Sequence, residues 1–364
     1  MRARIVCLAF LVACGGTYGG KPSSTGPAAS GGPKRGIEAA ALPYSVLDGR
    51  TGRQIPTPTF WTQLGDARVV CVGEDHPNPH HHWFQLEVMT QIAAGKHDTR
   101  LALGMEMFQR PFQGVLDDYA THHIDDAALL SRSGWSERWN YDWGFYRPTI
   151  AKAIASGAAL LALNAPRELT KKVVRQGLES LTPDERKQIP ELDLADKAHR
   201  AWFDDIMEGM GGSHAHGGGG GGGATGGHKT PEPDAKPDPA DAKPADAKPA
   251  EAPPAGMPSA DRIYTVQVIW DETMADGAAK WLAANPNGYL VLLAGNGHCH
   301  DSAIVNRIKR RGVPQVVSIH PVLDTDGRVA EALAKPINDY VVVLELPADV
   351  KARMEKEEAE NAAE

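Results

Sequence analysis

Apolar residues follow two spacings along this chain. Short, nearly unbroken apolar runs at 68–72, 101–105, 159–163, 290–294 and 340–346 read as strands, as does the Val-Val pair within 315–318, and the first four run straight into glycine or polar residues. Such runs are the pattern of strands covered on both faces of a parallel sheet. Between them, apolar positions recur at helical spacing over 80–94, 111–120, 126–131, 148–156, 166–178, 193–208, 261–284 and 301–310. Pro166 opens one of these helices, at a position where a missing N–H breaks no intrahelical bond. Strands separated by helices predict an α/β fold with a parallel-dominated central sheet and helices on both faces.

Two stretches carry neither period. Residues 15–36 are Gly, Pro, Ser, Thr and Lys with little to bury, which predicts a flexible tether spanning 14–36 and a folded domain from 37 to 347. Residues 209–259 begin with His214, His216 and His228 among glycines and continue as Asp-Ala-Lys-Pro repeats at Asp234, Asp241 and Asp246. That composition predicts one low-complexity insertion within the domain, because strong patterning resumes after it. Residues 348–364 are charged and read as a frayed tail.

The amino terminus sets the expected compartment. Arg2 and Arg4 precede the apolar residues 5–13, and Leu11-Val12-Ala13-Cys14 has the form of a lipobox. A stretch this short cannot cross a bilayer, so 1–13 reads as a processed lipoprotein signal and Cys14 as the lipidated first residue of a membrane-anchored protein. With Gly15 rather than Asp next, the expected location is the cell envelope, at the outer membrane if the cell has two. The formal charge is −8, and removing Arg2 and Arg4 with the leader makes it −10. Such a balance leaves no electrostatic footprint for nucleic acid. Cys71 and Cys299 then remain in the folded part; they read first as buried small hydrophobes, next as a disulfide, and last as metal ligands.

Chemistry-bearing residues gather where strands end. Gly73-Glu74-Asp75-His76 follows the first run, Glu106 the second, Asn164 the third and Gly295-Asn296-Gly297-His298 the fourth. Ligands of open α/β sheets bind at such carboxyl ends, so the two Gly-x-x-His segments are expected to meet in space. Helix capping accounts for Asn164 and Asp301 but poorly for Glu106, His76 and His298. The glycines are expected to adopt backbone angles closed to other residues and to let a ligand approach closely. His80, His81 and His82 open the next helix, either as a solvated cluster or as pocket lining. Residues 135–148 concentrate Trp, Tyr and Phe in an expected loop, although the chain is only 6% aromatic. This loop suits either a large flat ligand or a packed lid, with Tyr146 able to bind ferric iron and Arg147 a carboxylate.

Taken in order, 69–82, Gly104-Met105-Glu106-Met107-Phe108-Gln109-Arg110, Tyr146-Arg147-Pro148, Gln267-Val268-Ile269-Trp270-Asp271-Glu272-Thr273-Met274-Ala275 and Gly295-Asn296-Gly297-His298 resemble the motifs of the ChaN-like haem-binding lipoproteins. The resemblance covers about 42–347 apart from the insertion and places the chain near the Tiki and erythromycin-esterase-like proteins. It implies a lipid-anchored α/β protein of haem and iron acquisition that binds haem between the subunits of a homodimer. Tyrosinate ligation of the iron is implied too, at Tyr146 first, with Tyr141 or Tyr264 behind it and His76, His82 and His298 as further ligands or hydrogen-bond partners. The wider superfamily implies an alternative: a metal-dependent hydrolase in which His76, His298, Glu106 and Glu74 hold Zn or Mn and Glu74 or Glu106 serves as base.

Overall fold

The computed structural model describes residues 36–95, 99–214, 259–325 and 327–363. The expected signal, Cys14, most of the tether and residues 215–258 of the insertion lie outside these.

Eight strands, β1 (Tyr44–Asp48), β2 (Gln54–Ile55), β3 (Val69–Val72), β4 (Leu101–Gln109), β5 (Ala159–Asn164), β6 (Tyr289–Leu293), β7 (Val316–Leu323) and β8 (Tyr340–Leu344), form one sheet in the order β2-β1-β8-β7-β3-β6-β4-β5. From β8 to β5 every neighbouring pair is parallel, and only β1 runs antiparallel, to β8 and β2. The period of two along each strand sorts side chains to opposite faces. Val70, Val72, Leu103, Met105 and Leu293 point to one face, covered by the helices Pro79–Gly95 and Trp143–Ala155. Val69, Cys71, Ala102, Leu290 and Leu292 point to the other, covered by Met274, Ala275, Ala278 and Leu282 of the helix Ala260–Ala284. The α/β fold, with its parallel-dominated sheet clad on both faces, is therefore the one the apolar runs predict.

Several elements depart from expectation for identifiable reasons. β1, β2 and the helix Thr57–Asp66 carry no unbroken apolar run; β1 is half-buried at four of its five positions. β4 continues to Gln109 through a register shift after Met105, which keeps the polar Glu106 and Gln109 inside the fold. The aromatic segment is helical rather than a loop: Trp135–Arg138 forms one turn, and Asp142 caps Trp143–Ala155 by accepting from the Gly144 N–H at 2.8 Å. The helix Lys197–His214 runs into the segment expected to be low-complexity from 209 onward. The charged end is also a helix, Ala348–Ala363, whose Val350 and Met354 lie one turn apart against the core.

Cys71 and Cys299 form a disulfide with Cα atoms 5.4 Å apart, which corrects the first reading of them as hydrophobes. Cys71 lies on β3 opposite Leu292 of β6, and the chain leaving β6 turns back at Gly295 so that Cys299 returns to β3.

Candidate functional site

The carboxyl ends of β3, β4 and β6 converge because their registers align: Val72 and Met105 both stand opposite Leu293. The two Gly-x-x-His segments touch directly. The Asn296 N–H donates to the Glu74 carbonyl and the Asn296 side chain to Asp75, both at 2.9 Å. A Cβ added at Gly73 would lie 2.0 Å from Asn296 Oδ1, and one at Gly295 would lie 3.1 Å from the His76 ring. None of Gly73, Gly295 and Gly297 has a positive φ. At Gly73 and Gly295 glycine serves close approach, not the unusual backbone angles expected from sequence.

The buried carboxylates are each bound to imidazoles. Glu74 is 1% exposed and accepts from His76 Nδ1 at 2.7 Å, Gln85 Nε2 at 2.8 Å and the Tyr146 hydroxyl at 2.9 Å. Burial would raise its pKa, but the nearby His82 and His76 and the bonds from His76 and Gln85 outweigh it and hold the carboxyl at about 2. An ionised Glu74 fixes the proton of His76 on Nδ1, so Nε2 is the nitrogen left for the cleft. Glu106 accepts from the Gly295 N–H at 2.7 Å and stands 3.3 Å from His298 Nε2. His298 Nδ1 donates to Asp271 at 2.7 Å, and the other oxygen of Asp271 lies 3.1 Å from His199. Burial opposes the charge on His298, yet Glu106 and Asp271 push its pKa up to about 10. Both ring nitrogens of His298 are thus held by carboxylates, an arrangement that favours its protonated form.

Above these pairs opens a cleft of about 390 Å³. Its floor is His76, Glu106 and His298, and its walls include Trp139, Tyr141 and Trp270. The His76 ring sits 4.7 Å from that of Trp139 and 4.8 Å from that of Tyr141. Burial, Glu74 and Glu106 together raise the Tyr141 pKa above the ordinary phenol value.

The residues singled out by sequence thus divide into three groups. His76, His298, Glu106 and Tyr141 line the cleft. Glu74, Tyr146 and His82 lie beneath it. Tyr146 is 1% exposed and spends its hydroxyl on Glu74, while burial and Glu74 raise its pKa well above that of a free phenol. His82 is buried with Nε2 on the His76 carbonyl at 2.8 Å and its ring stacked on Phe145. Both hold up the Glu74–His76 pair instead of facing a ligand. Arg147 and Tyr264 lie elsewhere. Arg147 is 57% exposed and paired with Asp126 beside a separate groove, and Tyr264 packs against Phe203 and His199.

Among the described residues no group of three or more His, Cys, Asp or Glu side chains is arranged to hold a metal ion. Glu74 with His76, and Glu106 with His298, use their donor atoms on each other, so the set His76, His298, Glu106 and Glu74 does not support Zn or Mn. Sequence reading gives no role to Asp271 and Trp270, which it names only within a motif, nor to Gln85, Arg138 and Arg167. Asp271 had a signal, a charge on the buried stripe of a helix between Val268 and Met274. Arg167 had another, lying just past the strand-end residue Asn164.

A family profile described as haem-binding uptake, Tiki superfamily, ChaN matches residues 60–308. The structure titled "Cofacial heme binding to ChaN of Campylobacter jejuni" superposes with a TM-score of 0.57 at 16% identity, covering 83% of this chain and 96% of that one. Protein RETICULATA-RELATED 5, chloroplastic, of Arabidopsis thaliana is 26% identical over 132 residues, which are 35% of this chain. The match spans only 18% of the length of that protein.

Proposed function

From the premise that this chain belongs to the ChaN family of the Tiki superfamily, described as haem-binding uptake, we propose that it binds haem in the cleft above Glu74 and Glu106. The observation that carries this reading is His76, oriented by the Glu74 carboxylate and set beside the rings of Trp139 and Tyr141 on the floor of an open cleft. The residues fit the group. Aromatic walls suit a porphyrin face, a cleft of about 390 Å³ falls within the usual span of ligand sites, and a phenol and an imidazole, both able to ligate iron, line it. Tyr141 would hold the iron in this reading, with the His76 ring beside it at 4.8 Å. Bound haem would supply a ferric centre whose charge favours the phenolate that the free protein disfavours.

The remaining parts of the reading concern the whole protein. The lipobox at Cys14 supports a lipid anchor in the cell envelope, and the Cys71–Cys299 disulfide supports an oxidising compartment there. A cleft open on one side supports a homodimer in which a second copy covers the ligand. The role that follows is haem capture for iron acquisition.

Titrating the full chain with hemin tests this. A saturable change in the Soret band is the expected result, weakened and shifted in Tyr141→Phe and retained in Tyr146→Phe. A spectrum that rises linearly with hemin, without saturation, overturns it.

A further inference from the structure

The cleft has a cationic side that the haem reading does not by itself require. Arg138 and Arg167 both line it, although the chain as a whole is acidic. Gln109, buried at the end of β4, holds them side by side: its Oε1 accepts from Arg138 Nη1 at 2.7 Å and from the Arg167 backbone N–H at 3.0 Å. Arg138 is already committed. Its other nitrogen donates to Glu168 at 2.6 Å, and its guanidinium lies over the Phe112 ring at 4.8 Å. Arg167 is different. Its side chain donates from Nη1 to the Glu137 carbonyl, and among the described residues no carboxylate stands within ion-pair distance of it.

A half-buried guanidinium anchored to one carbonyl and facing a ligand cleft, with Glu168 acting on it only from beyond ion-pair distance, keeps a pair of N–H donors for a planar anion. We propose that Arg167 is a specificity-determining residue that receives a carboxylate of the bound ligand, so that the cleft selects porphyrins with free carboxylates over neutral ones. This rests on the haem reading and adds to it the ligand's orientation: the acid edge lies toward Arg167 and the metal toward His76 and Tyr141. Gln109 and Arg138 are positioning residues for that contact.

Hemin and hemin dimethyl ester share the porphyrin and the iron but differ in whether the two carboxyl groups are free or methylated, so comparing the two in the native chain and in Arg167→Gln isolates the contact. Hemin is expected to bind the native chain at least about tenfold more tightly than the diester, the scale of one charge-assisted hydrogen bond. In Arg167→Gln hemin affinity should fall toward that of the diester, whose own affinity should not change. Arg167→Lys should recover part of the preference, which a merely structural role would not do. Equal binding of hemin and diester by the native chain, or a preference undiminished in Arg167→Gln, overturns the assignment while leaving haem binding intact. Saturable binding of neither compound overturns the haem reading itself.

Discussion

At the scale of single residues, the helical phase of Trp143–Ala155 decides which aromatic faces the ligand. Tyr146, Thr149, Ile150 and Ala153 form its buried stripe at helical spacing, which turns Tyr146 inward and the adjacent Arg147 outward. Sequence reading begins this helix at 148 and so misses the stripe. That is why Tyr146 and Arg147 are the two residues of the motif whose chemistry is legible and whose location is not. His76, Glu106 and His298 are legible because the position after a buried strand needs no rotational phase. Replacing Tyr146 by Phe removes one of three donors from the ionised Glu74, and we expect a loss of about 1–3 kcal/mol in chemical denaturation. Gly73→Ala forces a methyl against Asn296 and the Ile319 carbonyl, and it should cost roughly 1–3 kcal/mol on the same measurement.

At the scale of elements, the disulfide and the strand registers together explain why segments so distant in sequence form one floor. The bond joins residues 228 apart, on β3 and on the turn that follows β6, and it lies immediately beside His298. Neither cysteine is legible as a disulfide from spacing alone, because the pairing depends on β3 and β6 being neighbours in a sheet whose strand order is not sequential. The short apolar runs are legible as strands for the opposite reason: burial on both faces is written into composition. β1 and β2 are not, since an edge pair with one wet side carries too weak a pattern. Converting Cys71 and Cys299 together to Ala should lower stability by about 2–4 kcal/mol and weaken hemin binding by loosening the His298 segment. With both sulfurs in buried residues, mild reductant should open the bond in the native chain far more slowly than in the denatured chain, as read by thiol alkylation and mass.

At the scale of the whole molecule, the buried histidines set the pH range over which the fold is stable. His298 is raised to about 10 against an ordinary value of 6.5, so its stabilisation is complete below pH 6.5 and is lost as pH climbs toward 10. His81 and His300 are lowered by burial to about 4 and about 3, so below pH 6.5 the unfolded chain takes up protons the folded one refuses, and stability falls. Glu74, at about 2 against 4.5, adds a further loss as pH drops below 4.5. The melting temperature should therefore peak near pH 6.5 and decline on both sides, with the alkaline decline flattened in His298→Gln. The arrangement that produces this profile also builds the binding site, since the same ion pairs beneath the cleft orient His76 and immobilise His298. The central claim, that haem iron sits above those pairs at the carboxyl ends of β3, β4 and β6, is tested most directly by iron anomalous diffraction from crystals of the hemin-loaded chain. A single strong peak bordered by His76, Trp139 and Tyr141 is the expected result; a peak in the groove beside Arg147, or none within the cleft, places the iron elsewhere and overturns the assignment.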